Sequence, residues 1–249
     1  GDAMSLITFV SAKGSPGVTT TVTSLAALWP GDVVAADLDP VGGDFALRLR
    51  ADENVPLAES RGLVSLGAAL RGGDDTSLDD HAQTTEDGLQ VLVGVSSPGQ
   101  VRGLGTAWPH IGRVMAAYPG DVLVDAGRYV AGSAVGPVIE KSDAVVFVAR
   151  SDLEGLAHLR TRLTVLQESI RTGSLEGLKV GYLLVGDPGD ARGQADTERL
   201  LASAGLGATA LGVVAHDART VRSKVGDEGD ALLQRQPELL PHTIQPGLH

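Results

Sequence analysis

There is no cysteine anywhere in the 249 residues, which removes disulfide frameworks, thiolate metal sites and cysteine nucleophiles together. Any metal must be held by oxygen or histidine. Aromatic residues are only 3% of the chain, and lysine occurs four times among the 20 basic residues. No run of lysine and arginine breaks the acidic background, whose formal net charge is −11. Unspecific attraction to a phosphate backbone or to anionic lipid is therefore weak, and direct DNA or membrane binding is disfavoured. Long apolar runs are missing as well. The longest, such as 144–149, are strand-sized, far from the roughly 20 residues that span a bilayer. Residues 1–3 ahead of Met4 read as an expression scar, and strand-like sequence begins at once from Ser5. That leaves no room for a secretory leader and points to a cytoplasmic protein.

What is present is a core-forming composition, 43% hydrophobic, enough for one α/β domain at this length. We place that domain at 4–226. A tail at 227–249, broken by Pro237, Pro241 and Pro246, packs on it or extends from it. Short β-rich apolar runs recur at 6–10, 33–36, 89–93, 122–124, 144–148, 180–185 and 211–214. They are apolar on both faces, as strands of a buried parallel sheet are. Helical patterns fill the intervals, for example Val22, Leu25, Ala26 and Trp29, or Leu156, Leu159, Leu163, Leu166 and Ile170; this three-and-four spacing buries one helix face. The alternation predicts a doubly wound, mainly parallel sheet flanked by helices, with its ligand site at the carboxyl ends of the strands. The stretch 51–87, rich in Gly, Asp and Ser, reads as irregular, and its cluster Asp74, Asp75, Asp79 and Asp80 as a solvated acidic loop without calcium-loop spacing.

The strongest local signal is Lys13-Gly14-Ser15-Pro16-Gly17-Val18-Thr19-Thr20, between the first strand and the first helix. Glycines allow the backbone to wrap an anion, and the helix N-terminus favours negative charge there. The Thr19 hydroxyl suits Mg²⁺. Three further segments follow in order. Asp37-Leu38-Asp39-Pro40 places two carboxylates at a strand end, although an Asp-Pro turn would explain the pair too. The strand 121–128 runs into Asp125-Ala126-Gly127-Arg128, with Arg128 read as a surface residue. Asp152 is positioned to cap the helix that follows the fifth strand.

In this order, the segments resemble the MinD/ParA group of P-loop ATPases, whose deviant Walker A motif K-G-G-x-G-K-T-T has an early lysine matched by Lys13. The resemblance implies the P-loop NTPase fold, ATP or ADP with Mg²⁺ as cofactors, and a nucleotide-dependent homodimer that organises an unidentified protein partner in division-site, chromosome or pilus positioning. It implies that Gly14, Ser15, Gly17, Val18, Thr19 and Thr20 surround the phosphates, and that Thr19, Asp37 and Asp125 surround the metal. Asp39 would orient the attacking water, and Lys13 would reach a partner's phosphates. Asp187, His216 and Asp217 stand where relatives contact the base, although the usual asparagine near Gly186 is absent. The main departure is Val18, where the pattern has its second lysine. Losing that charge-assisted contact costs about 1.5–3 kcal/mol, or roughly 10- to 150-fold in affinity. The chain is thus at most a slow Mg-dependent ATPase. The alternative is a pseudo-ATPase acting as a protein scaffold.

Overall fold

The structure is a computed structural model that describes residues 5–13, 17–173 and 175–215. The expected expression scar at 1–3 and the tail at 227–249 lie outside the described residues. In chain order the elements are β1 (Leu6–Ser11), α1 (Val18–Ala27), β2 (Val33–Asp37), α2 (Phe45–Arg48), β3 (Arg50–Asp52), β4 (Val55–Pro56), α3 (Leu63–Gly72), β5 (Gln83–Thr84) and β6 (Gln90–Leu92). There follow α4 (Pro98–Leu104), α5 (Trp108–Ala116), β7 (Asp121–Arg128), α6 (Gly136–Ile139), β8 (Ala144–Arg150), α7 (Leu153–Arg171), β9 (Lys179–Gly186), α8 (Ala191–Ser203) and β10 (Thr209–Ala215).

Eight strands form one sheet in the order β10-β9-β8-β1-β7-β2-β6-β5, and only the short edge strand β5 runs antiparallel to its neighbour. Every apolar run expected to be a strand is one. Period-two alternation explains why these runs are apolar throughout. Along β1, Leu6 and Val10 face one core while Ile7 and Phe9 face the other, and along β8 Val145 and Phe147 oppose Val146 and Val148. Each strand therefore buries both faces, as a doubly wound sheet requires. One core takes side chains from α3 to α8, including Leu66, Ile111, Leu159 and Leu163. The other is covered by α1 and α2 through Val18, Val22, Ala26 and Phe45. Among the described residues no helix is long and apolar enough to cross a membrane.

The stretch 51–87 is more ordered than its composition suggests. It contains the helix α3, whose Leu63 and Leu66 are fully buried, and the edge strand β5. Apolar side chains at 63, 66 and 70 supply a helical stripe that the surrounding Gly, Asp and Ser obscure. The acidic cluster itself is solvated, with Asp74, Asp75, Asp79 and Asp80 all exposed.

Because β1 lies between β7 and β8, the chain reverses its direction of winding there, and a crevice opens at the carboxyl ends of β1, β7 and β2. The helix α1 begins at that edge.

Candidate functional site

Strands β2 and β7 pair in parallel with Asp37 opposite Asp125, so two carboxylates end side by side where the sheet meets α1. Thr19, in the first turn of α1, donates its hydroxyl to Asp125 Oδ2 at 2.6 Å. Asp125 Oδ1 accepts the Gly127 N–H at 3.0 Å. Asp37 is fully buried. Its Oδ2 accepts the Phe45 N–H at 3.0 Å and its Oδ1 the Asp39 N–H at 3.3 Å.

Those donors only partly offset the loss of solvent. Burial, and then the charge of Asp125, pushes the Asp37 carboxyl up to about 7. Burial pushes Asp125 up to about 6, against the lowering effect of Thr19 and the Gly127 N–H. Asp39, whose Oδ1 accepts the Val41 N–H at 2.9 Å, is also raised by burial. Among the described residues no lysine, arginine or histidine forms an ion pair with any of the three. Desolvated carboxylates raised in this way and lacking a counter-ion favour a cation beside them.

Two glycines bring the loops close. A Cβ on Gly43 would lie 2.4 Å from Asp37 Oδ2. Gly127 has φ +63°, and a Cβ there would sit 2.4 Å from Asp39 Cγ. Gly127→Ala is therefore expected to destabilise the protein by about 1–3 kcal/mol through left-handed strain and displacement of Asp39. Urea denaturation checks this, and an unchanged midpoint would mean that Asp39 does not press on the β7 loop.

The remaining expected residues are placed as follows. Lys13, at the end of β1, forms an ion pair with Glu154 Oε1 in the first turn of α7, and both side chains are largely exposed. His158 Nε2 lies 3.8 Å from the same Glu154 oxygen. Thr20 Oγ1 accepts a long contact of 3.5 Å from Arg48. Gly17 is the N-cap of α1, but Gly14 and Ser15 lie outside the described residues. Val18 is only 4% exposed and belongs to the core beneath α1. Asp187 stands in the turn after β9, where its Oδ1 accepts the Gly189 N–H at 2.9 Å. His216 and Asp217 lie outside the described residues. Arg128 is exposed, and Asp152 caps α7 by accepting the Gly155 N–H at 2.8 Å, both as expected.

The structure brings Thr19, Asp37, Asp39 and Asp125 together. It also adds Glu154 and the Phe45 N–H, for which local sequence carries no signal because both contacts are tertiary. Among the described residues, no three Asp, Glu or His side chains converge to hold a metal unaided. Mg²⁺ takes one or two protein oxygens and completes its octahedron with water and phosphate. Thr19 and Asp125, with Asp37 behind them, are the residues able to hold it.

No protein-family model matches this sequence, and no curated protein matches it. Solved structures do. A ParA family ATPase from Chlorobium tepidum has a TM-score of 0.66 at 19% identity, covering 97% of each chain. An ATP complex of McdA from Cyanothece has a TM-score of 0.65 at 14% identity over 100% of both chains. The septum site-determining protein MinD of Pyrococcus horikoshii, complexed with Mg-ADP, has a TM-score of 0.63 at 17% identity, covering 94% of this chain and 90% of that one. The chain has the MinD/ParA-like P-loop NTPase fold.

Proposed function

We propose that the chain is a MinD/ParA-like switch that binds ATP with Mg²⁺, dimerises on binding it, hydrolyses it slowly and thereby organises a protein partner. The observation that carries this reading is the 2.6 Å hydrogen bond from Thr19 to Asp125, beside a fully buried Asp37, at the mouth of the Gly17 turn. A cluster of carboxylates with no counter-cation among the described residues is unfavourable in a structural role and suits a site that receives a divalent ion. The fold is shared with an ATP complex of McdA and with MinD complexed with Mg-ADP.

Bound Mg²⁺ would supply the positive charge that phosphate oxygens require. The chain's own residues supply the rest. The helix α1 offers the N–H groups of its first turn, from Gly17 to Thr20, to an anion. Thr19 and Asp125 hold the metal side, with Asp37 fixing the β2 end. Asp39, held against Gly127, is placed to orient a water. Asp187, and His216 and Asp217 beyond it, are the base-side candidates. Lys13 is the residue we assign to a partner's phosphates, and Glu154 occupies it in the single chain.

Exposed apolar side chains support a dimer face at the carboxyl edge of the sheet. Val41, Leu47, Val130 and Leu153 follow the carboxyl ends of β2, β7 and β8, and Leu153 is 88% exposed. Apolar groups clustered around one edge suit a second copy. Light scattering with a non-hydrolysable ATP analogue and Mg²⁺ tests this: the mass should double for the wild type but not for Lys13→Ala, which should still bind nucleotide. Glu154→Ala should change stability by less than about 0.5 kcal/mol, since the ion pair is exposed, and should favour the dimer. An unchanged wild-type mass at saturating analogue would eliminate the switch.

One observation favours a second reading. Val18 packs in the core rather than facing an anion, which suits a pseudo-ATPase that keeps the fold as a docking scaffold.

A further inference from the structure

Past the end of β1 the chain leaves the sheet at Ala12, a buried residue directly ahead of Lys13. Its N–H donates to the Val148 carbonyl of β8 at 3.2 Å, and its carbonyl accepts the Nε–H of Arg162, in α7, at 3.2 Å. A buried carbonyl must be paired, and here the donor comes from a helix side chain instead of a neighbouring strand. The peptide unit is planar, so the Ala12 carbonyl and the Lys13 N–H turn together. Arg162 therefore sets the plane in which the chain enters the phosphate turn. Roughly two turns earlier on the same helix, Glu154 holds the Lys13 side chain. The charge of Arg162, which is half-buried, also reaches the chain leaving β7. Tyr129, directly after Arg128, is buried, donates its N–H to the Ser11 carbonyl at 3.0 Å and sets its ring edge-on to Phe147 with centroids 5.4 Å apart. Burial raises the Tyr129 hydroxyl above its ordinary value, and the guanidinium charge lowers it.

We propose that Arg162 is a positioning residue for the nucleotide site, holding the phosphate turn and the loop after β7 in register with α7; the assignment rests on the nucleotide-binding reading given above. The helix α7 is a single element of 19 residues, so a shift of its axis moves Glu154 and Arg162 together. Through Glu154 such a shift acts on the Lys13 side chain, and through Arg162 on the Ala12–Lys13 peptide. The exit of β1 leads to Thr19, and the exit of β7 carries Asp125 and Gly127. One guanidinium thus bears on both segments that the proposed magnesium site joins. Its N–H donors lie in one rigid plane, whereas a lysine ammonium is a point charge on a flexible stem. Fixing the direction of a peptide plane calls for the former.

The test titrates the full chain with a non-hydrolysable ATP analogue and Mg²⁺ and follows the Arg162 Nε–H and the Gly17, Thr19 and Tyr129 amides by NMR, with Arg162→Lys assigning the Nε–H signal. We expect the Arg162 and Tyr129 signals to shift with those of Gly17 and Thr19 and to saturate at the same concentration. Arg162→Lys keeps the charge and the stem but not the planar donor, and should bind the analogue roughly tenfold or more weakly than the wild type, with its urea midpoint little changed. Shifts at Gly17 and Thr19 with Arg162 and Tyr129 unmoved would overturn the positioning role and leave the nucleotide reading standing. No shift at any of the four would remove the nucleotide reading itself, and this inference with it. A lowered urea midpoint in Arg162→Lys with unchanged binding by the folded protein would mark Arg162 as a purely structural contact, and would likewise overturn the proposal.

Discussion

Asp125→Asn is expected to stabilise the nucleotide-free protein while removing its magnesium-dependent nucleotide binding. Asparagine preserves both hydrogen bonds, because its oxygen can accept the Gly127 N–H and its amide can donate to Thr19 Oγ1 in place of the present 2.6 Å contact. What it removes is a buried charge next to Asp37. Both carboxyls have folded-state values above the ordinary 3.8, at about 7 for Asp37 and about 6 for Asp125. The folded chain therefore keeps protons that the unfolded chain has released, and stability falls as pH rises from about 4 to about 7. Below that window both states are protonated and the penalty is absent; above it the penalty is complete. The gain from Asp125→Asn should thus be about 1–3 kcal/mol at pH 8 and smaller at pH 5. Urea denaturation at the two pH values measures it. A variant destabilised equally at both would mean that the carboxylates are already compensated, and the case for a cation site would fail. Loss of function with gain of stability is the pattern expected where a site is kept strained for its ligand.

Val18→Lys should tighten ATP binding roughly 10- to 150-fold by adding a charge-assisted phosphate contact. It should also cost about 1–2 kcal/mol of stability, because Val18 is 4% exposed and part of the core beneath α1. A lysine stem can lie along that apolar surface while its ammonium reaches the crevice. The two effects are separable by titration calorimetry and urea denaturation. Stability loss without tighter binding would show that the turn before α1 no longer presents its donors to a phosphate, and would favour the scaffold reading.

The sheet was legible in sequence because each strand is apolar on both faces, so a run such as 144–148 can belong only to a buried element. The helix α3 was not. Leu63, Leu66 and Leu70 are three apolar residues among glycines and serines, and their stripe becomes decisive only when packed against the sheet. Within the site, Thr19, Asp37 and Asp125 were legible as candidates from the resemblance to the MinD/ParA pattern and from their positions at element ends, since a strand terminus and a helix N-terminus meet there in a parallel sheet of this type. The raised carboxyls did not follow. They arise first from burial, which glycines at 43 and 127 assist by letting backbone close over the site, and for Asp37 also from the charge of Asp125 opposite it. The partner of Lys13 was equally hidden, because Glu154 is 141 residues away and meets it only through the β8–α7 turn.

The central claim is that Thr19 and the carboxylates behind it hold magnesium with a nucleotide. Calorimetric titration of the full chain with ATP, with and without Mg²⁺, alongside Thr19→Ala, tests it most directly. We predict binding on the order of micromolar with Mg²⁺ present, a loss of 100-fold or more, roughly, without it, and the same loss in Thr19→Ala. No heat at millimolar ATP, or binding indifferent to both Mg²⁺ and Thr19, would contradict the account.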